Sequence, residues 1–399
     1  MINRLKHPAL VLVSAVILSA TLLVGPQPAA LACPFCSAPS LTLTEQLAQS
    51  DAAVLVKWTG GTEAEGDEAG STNYQILDVL RDVTNGVKKG DTIRLPRYRA
   101  GKVGDLFVLR GSKAAVIEWG SPLEVTETSY KYIAEAPSPE SKPEERLVYF
   151  VNFLESPDVM IANDAYAEFA NAPYKFIVPI SKQLPAKKIR GWVSDPETVP
   201  TRLGLYGLLL GLCGEADDIE LMKRKITEPS EDFRLGIDGV MAGYLLLSGE
   251  KGLKLIDDTK LKDKSVPFSE TYAAMQALRF MWTYAEGRIP PDRLRQSMRI
   301  LLDRPELADL VIADLARWQD WTVQDQLMKL YGADQYDIPS IKRAIVRYML
   351  VCSKDAPDET TGETAEVPAH VKQAKKYLAE LRNKDPKTVS EAERFFFLR

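Results

Sequence analysis

Two periodicities divide the chain. From Leu41 to about Tyr132 the apolar residues come in short alternating runs separated by turn residues, and beyond Glu145 they recur at helical spacing. The first region opens with one helical segment, Leu41 to Gln49, in which Leu43 and Leu47 share a face. Strands are then predicted at Ala52 to Trp58, Asn73 to Arg81, Asp91 to Leu95, Asp105 to Arg110 and Ala114 to Trp119, with the Gly- and acid-rich stretch Gly60 to Ser71 an exposed loop. Within the second strand Tyr74 and Ile76 keep one parity, then Leu77 and Val79 take the other, which predicts a bulge or sharp bend. Short strands with a bent second member suit a small closed barrel better than a flat sandwich.

Pro137-Ser138-Pro139-Glu140-Ser141-Lys142-Pro143 is polar and proline-rich and reads as a linker. After it, turns bearing Pro157, Pro196, Pro229, Pro267, Pro305 and Pro339 recur at spacings of 39, 33, 38, 38 and 34 residues, each ahead of an apolar helical stretch. Helix pairs that cannot bury their faces alone must stack, so the period predicts a helical solenoid, with an irregular bundle as the alternative. From about Glu145 to Ser353 the units resemble HEAT repeats, with the typical Asp and Arg positions partly kept, as at Asp195 and Arg202. The expected layout is a signal segment over 1–32, a barrel over 33–135, a linker over 136–144, repeats over 145–353, a second linker over 354–368 and a helical cap over 369–399.

The amino terminus sets the compartment. Arg4 and Lys6 precede an apolar run from Ala9 to Val24, Gly25-Pro26-Gln27-Pro28 breaks it, and Ala30-Leu31-Ala32 is a small-x-small cleavage site. The mature chain is expected to begin at Cys33 and to be exported, whether periplasmic, extracellular or held at the cell envelope. Membrane attachment would require either an uncleaved signal or a lipid on Cys33, where Ala30 stands in place of the leucine usual in a lipoprotein box. Cleavage removes two basic residues and no acid, taking the formal charge from -5 to -7. An acidic exported chain is a poor ligand for nucleic acid, whose binding rests on neutralised phosphates. The clusters Lys187-Lys188-Ile189-Arg190 and Arg293, Arg295 and Arg299 read as solvated helix faces.

Chemistry is sparse. His370 is the one histidine of the mature chain and reads as an exposed residue opening a terminal helix, so histidine triads and histidine-rich zinc sites are excluded. No phosphate loop, Gly-x-Ser-x-Gly or calcium loop occurs; carboxylate pairs remain open, because their pairing is spatial. Cys33 and Cys36 are the one pair of cysteines close in sequence and are expected to bridge in an oxidising compartment, while Cys213 and Cys352 read as buried, unpaired thiols on apolar helix faces. Cys33-Pro34-Phe35-Cys36 has the spacing of thioredoxin-like oxidoreductases, without the strand that precedes such sites. Gly204, Gly207, Gly211 and Gly214 line one helix and read as a close-packing stripe. Trp282, Trp318 and Trp321 read as inter-repeat filling, and Phe395-Phe396-Phe397-Leu398 as a segment docking back on the repeats.

A terminal cysteine with a second one soon after, Gln49-Ser50-Asp51-Ala52-Ala53-Val54, Tyr74-Gln75-Ile76-Leu77-Asp78-Val79-Leu80, Lys89-Gly90-Asp91-Thr92-Ile93 and Asp105-Leu106-Phe107-Val108-Leu109 together look like the netrin and tissue-inhibitor-of-metalloproteinase module. The resemblance implies an OB-type barrel. It also implies that the α-amine and carbonyl of Cys33 chelate the zinc of a partner protease, with no metal site of the chain's own. The family spacing is Cys-x-Cys, against Cys-x-x-Cys here, and the family's partner cysteines are missing between Ala52 and Tyr132. The combined expectation is a β + α multidomain protein, an OB-like barrel followed by a HEAT-like α-solenoid. It is expected to act without enzymatic activity or cofactor as a binding or scaffold protein for another protein. The alternatives are thiol-disulfide exchange through Cys33 and Cys36, and metalloprotease inhibition through Cys33.

Overall fold

A computed structural model describes residues 33–36, 40–66, 68–229, 233–355 and 366–394. The expected signal segment and the Phe395-Phe396-Phe397-Leu398 segment lie outside the described residues. Helix α1 (Leu43–Ala48) leads into an antiparallel sheet of β1 (Ala52–Thr62), β2 (Ser71–Asp82), β3 (Thr92–Leu95), β4 (Leu106–Lys113), β5 (Ile117–Trp119) and β6 (Leu123–Val125). The strand order is β3-β2-β1-β4-β5, with β6 also paired to β4, and the sheet is open between β3 and β5. Those two edges nevertheless line one cavity of about 460 Å³ through Thr92, Ile93, Ile117 and Trp119. The exposed Arg97 bridges them by donating from Nη2 to the carbonyls of Trp119 and Gly120.

The parity change in the second strand is realised. β1 pairs with β2 in a register that skips Leu77 and Leu80, so Tyr74, Ile76 and Val79 pack into the sheet's inner core while Leu77 and Leu80 pack toward the helices. The inner core is Val54, Val56, Tyr74, Ile76, Ile93, Leu95, Phe107 and Leu109; the alternate residues Leu55 and Val108 join the helical core instead, as period two requires. Two short elements escape the sequence reading. β6 is too brief to show alternation, and the stretch before the proline-rich connector forms helix α2 (Glu127–Glu135), started by a Thr126–Ser129 capping box.

The helices continue with α3 (Pro143–Phe150), α4 (Val159–Asn171), α5 (Tyr174–Ile177), α6 (Ala186–Ser194), α7 (Pro200–Cys213), α8 (Ala216–Thr227), α9 (Ile237–Ser248), α10 (Glu250–Ile256), α11 (Phe268–Tyr284) and α12 (Pro291–Ile300). They end with α13 (Ala308–Arg317), α14 (Gln324–Leu330), α15 (Pro339–Cys352), α16 (Ala369–Lys384) and α17 (Pro386–Arg394). The recurring proline turns do precede helices α4, α7, α9, α11, α13 and α15, although of those six prolines Pro339 occupies a first helical position and Pro267 is an N-cap. Successive members of this series touch at their N-terminal ends. Arg202 of α7 donates to the Leu154 carbonyl ahead of α4 and to Asn163 on α4, Arg234 ahead of α9 pairs with Glu270 of α11, Arg304 ahead of α13 donates to the Val266 carbonyl before α11, and the Tyr336 hydroxyl before α15 donates to the Leu302 carbonyl.

The glycine stripe makes a close backbone-to-backbone crossing of α7 and α9. Gly204, Gly207 and Gly211 of α7 lie backbone to backbone against Gly239, Val240 and Gly243 of α9: a Cβ on Gly239 would fall 2.1 Å from the Gly204 carbonyl oxygen, and one on Gly211 would fall 2.4 Å from the Gly243 Cα. Gly214 is not part of this seam. It caps α7 and faces Leu210 and Asp218 instead. Among the described residues no helix is long and apolar enough to cross a membrane.

Candidate functional site

The Cys33-Pro34-Phe35-Cys36 loop is a turn closed twice, by the Cys36 amide donating to the Cys33 carbonyl at 3.3 Å and by a disulfide with S–S 2.04 Å. It is set into the helices. The Cys33 nitrogen donates to the Ala170 carbonyl near the end of α4 at 3.1 Å, and Cys33 and Phe35 are 5% and 8% exposed. The Phe35 ring packs against Phe280 of α11 at 5.1 Å, and Phe280 meets Tyr174 of α5 edge-on at 5.1 Å. The Phe35 carbonyl rests on α7, where a Cβ on Gly204 would come within 2.8 Å of it. The loop therefore joins three parts of the helical stack that are distant in sequence. The nitrogen needed for chelation under the inhibitor reading is turned onto Ala170, and the Cys33 sulfur needed for lipid attachment is held in the bridge.

Next to this loop lies a buried polar cluster that sequence reasoning missed. Asp164 of α4 accepts the Leu43 amide at 2.6 Å and the Tyr132 hydroxyl at 2.7 Å; one turn on, Glu168 accepts the Thr44 hydroxyl at 2.5 Å and is ion-paired with Arg146. Burial raises both carboxyl pKa values, against the hydrogen bonds and the Arg146 charge, which lower them. Tyr132 is pushed strongly upward by burial and by Asp164. The available signal was two acids at i and i+4 on the apolar face of α4, a placement that water alone does not satisfy. This is the spatial carboxylate pair left open above. Its oxygens are engaged with α1, α2 and α3, so it docks the sheet region on the helices.

The remaining candidates resolve into packing. Cys213 and Cys352 are free thiols, Cys352 buried as expected and Cys213 only half-buried, and desolvation raises their pKa values, to about 11 for Cys213 and about 12 for Cys352. Trp282 and Trp318 stack at 4.4 Å, and Arg295 lies over Trp282 while donating to the Trp318 carbonyl. The basic clusters are not simply solvated faces. Arg190 forms a bidentate pair with Asp218, Arg299 one with Asp320, and Arg293 pairs with Asp257, because helix stacking brings carboxylates 21 to 36 residues away against them. Nor is His370 a bystander: at the start of α16 its Nε2 lies 3.0 Å from Asp355, which also accepts the Trp321 indole N–H at 2.6 Å, and the imidazole stacks on Trp321. Among the described residues no cluster of three metal-ligating side chains occurs. No family model, curated protein or solved structure matches the chain.

Proposed function

We propose that the chain is an exported, non-enzymatic binding or scaffold protein, built from an OB-type barrel that is incompletely closed and a HEAT-like stack of helices whose leading edge takes another protein. Support for the barrel reading is the order β3-β2-β1-β4-β5, which becomes a five-stranded ring if its two edges meet, and the Arg97 bridge across the gap. Support for the stack is the regular series of contacts between the leading ends of α4, α7, α9, α11, α13 and α15.

The observation that carries the functional reading is a row of exposed apolar side chains on that edge. Val199, Phe233, Leu235 and Phe268 are 44%, 70%, 41% and 50% exposed, each at or just ahead of the start of α7, α9 or α11. Between the leading ends of α7 and α9 lies a cleft of about 290 Å³ lined by Pro196, Leu203, Pro229, Phe233 and Leu235. Exposed apolar side chains gathered at one edge of a folded chain support a reading as a partner-contact surface. Thiol exchange through Cys33 and Cys36 and zinc chelation through Cys33 both require this loop to leave its seat on α4, α7 and α11, a cost the edge reading does not carry.

Cross-linking in the native host tests the proposal. A discrete adduct of the wild-type chain with one host protein should persist in Cys33→Ser/Cys36→Ser and disappear in Phe233→Ser/Phe268→Ser. An adduct that survives the edge substitutions and is lost with the cysteines would overturn it in favour of the cysteine readings.

A further inference from the structure

Half-buried arginines of the helical region face carboxylates: Arg146 meets Glu168, Arg234 meets Glu270, Arg279 meets Asp314 and Arg299 meets Asp320. Arg110, on the helix-facing side of β4, does not. It is half-buried, its Nη1 donates to the amide oxygen of Gln46 on α1, and its Nε is buried without a hydrogen-bond partner. Three other arginines have an unpartnered buried Nε, and each of those guanidinium groups is ion-paired: Arg99 with Glu124, Arg146 with Glu168, Arg304 with Glu306. Arg110 forms no ion pair among the described residues, and burial lowers its pKa. A desolvated cation facing only a neutral amide is an uncompensated cost in the free protein and a gain for an anion that reaches it.

The surroundings are those of a receptor for such an anion. Arg110 lines a cleft of about 530 Å³ between α1 and the β4–β5 end of the sheet, together with Gln46, Gln49, Ser50, Ser112 and Ser121; the Ser50 hydroxyl donates to the Gln46 carbonyl and Gln46 Nε2 to the Leu41 carbonyl, which leaves the Gln49 amide and the Ser112 and Ser121 hydroxyls as the donors to an incoming oxygen. Two further guanidinium groups hold its walls from behind: Arg81 donates to the Ser50 carbonyl, and Arg97 to those of Trp119 and Gly120. One acid lines the cleft, Glu118, exposed and in ion pair with none of these arginines. One half-buried positive charge, neutral donors and an exposed acid in the lining match a planar monoanion better than a doubly charged phosphate.

We infer that this cleft is a recognition site for a carboxylate, supplied by the free end or an acidic side chain of a peptide, with Arg110 as its charge partner. The site is on the sheet, apart from the apolar edge of the helices, and stands or falls independently of it.

Three probes titrated by calorimetry against the full-length chain, purified without reductant, test this: N-acetyl-Ala-Ser-Leu with a free carboxylate, the same peptide as its amide, and N-acetyl-Ala-Glu-Leu amide. At least one acidic probe should bind about tenfold or more tightly than the neutral amide, and the one that does identifies the source of the carboxylate. Arg110→Gln should abolish the difference. Because that change also removes the Gln46 contact, Gln46→Glu is the decisive variant: it leaves the arginine in place, gives it an internal carboxylate, and should cost the acidic probe about tenfold with thermal stability kept. Equal affinity for acid and amide, no binding of either acid at millimolar concentration, or wild-type affinity in Gln46→Glu would each overturn the assignment.

Discussion

Replacing Gly243 with alanine puts the helix seam to a direct test. The new Cβ would stand 2.0 Å from the Gly207 carbonyl oxygen and 2.8 Å from its carbon. Ordinary contact begins at 3.4 Å, so α7 and α9 must separate by about 1.4 Å at that point. The atoms struck are backbone, so no rotamer change relieves them. Two effects oppose each other. Alanine is better than glycine in a helix interior by about 1 kcal/mol. Overpacking a closed core costs about 1–3 kcal/mol and more where neither partner is able to yield, and parting the helices forfeits dispersion contacts along the seam. The clash wins, and we expect Gly243→Ala to lose about 2 kcal/mol or more. Gly191→Ala on α6 is the internal control, since its Cβ meets nothing within 4 Å; it should gain up to about 1 kcal/mol. Urea unfolding followed by circular dichroism compares the two at equal protein concentration. If Gly243→Ala is as stable as Gly191→Ala, the close crossing of α7 and α9 is not present in the folded protein.

Two further predictions concern titrating groups. Glu168 has a folded pKa raised by burial, so the folded state holds its proton more tightly than the unfolded chain and the wild type loses stability from this group as pH rises above about 4.5; the stability deficit of Glu168→Gln relative to wild type should therefore shrink between pH 4 and pH 7, and a deficit that grows over that range refutes the assignment. For the thiols, Cys213 and Cys352 are raised to about 11 and about 12 and Cys33 and Cys36 are bridged, so native protein at pH 8 should give no rapid reaction with an aromatic disulfide reagent, and two thiols should titrate on unfolding without reductant. Rapid native labelling of either thiol would refute the burial on which those shifts rest.

What the amino-acid sequence determined by itself is what is written within a few residues of chain. Alternation over Ala52 to Arg110 located the longer strands, the parity change at Leu77 marked the skipped register, and the i, i+3, i+7 spacing of Gly204, Gly207 and Gly211 marked a face that must meet another backbone. The Cys33-x-x-Cys36 spacing made a bridge the one close pairing. Each of these signals is local, since the period of a helix or strand is fixed by its own backbone geometry. Tertiary structure decided the rest. Whether β3 reaches β5 depends on how far the whole sheet curls, and no single strand encodes that. Asp164 and Glu168 stand on the apolar face of α4, but their partners are fixed only when α1, α2 and α3 are laid across them, and Arg190, Arg293 and Arg299 look like a solvated face until stacking supplies Asp218, Asp257 and Asp320. The same holds for Arg110, whose isolation is visible only by seeing which carboxylates the fold brings to the other arginines and withholds from this one. Charge pairing across 20 or more residues depends on which helices become neighbours, and that choice belongs to the packed core as a whole.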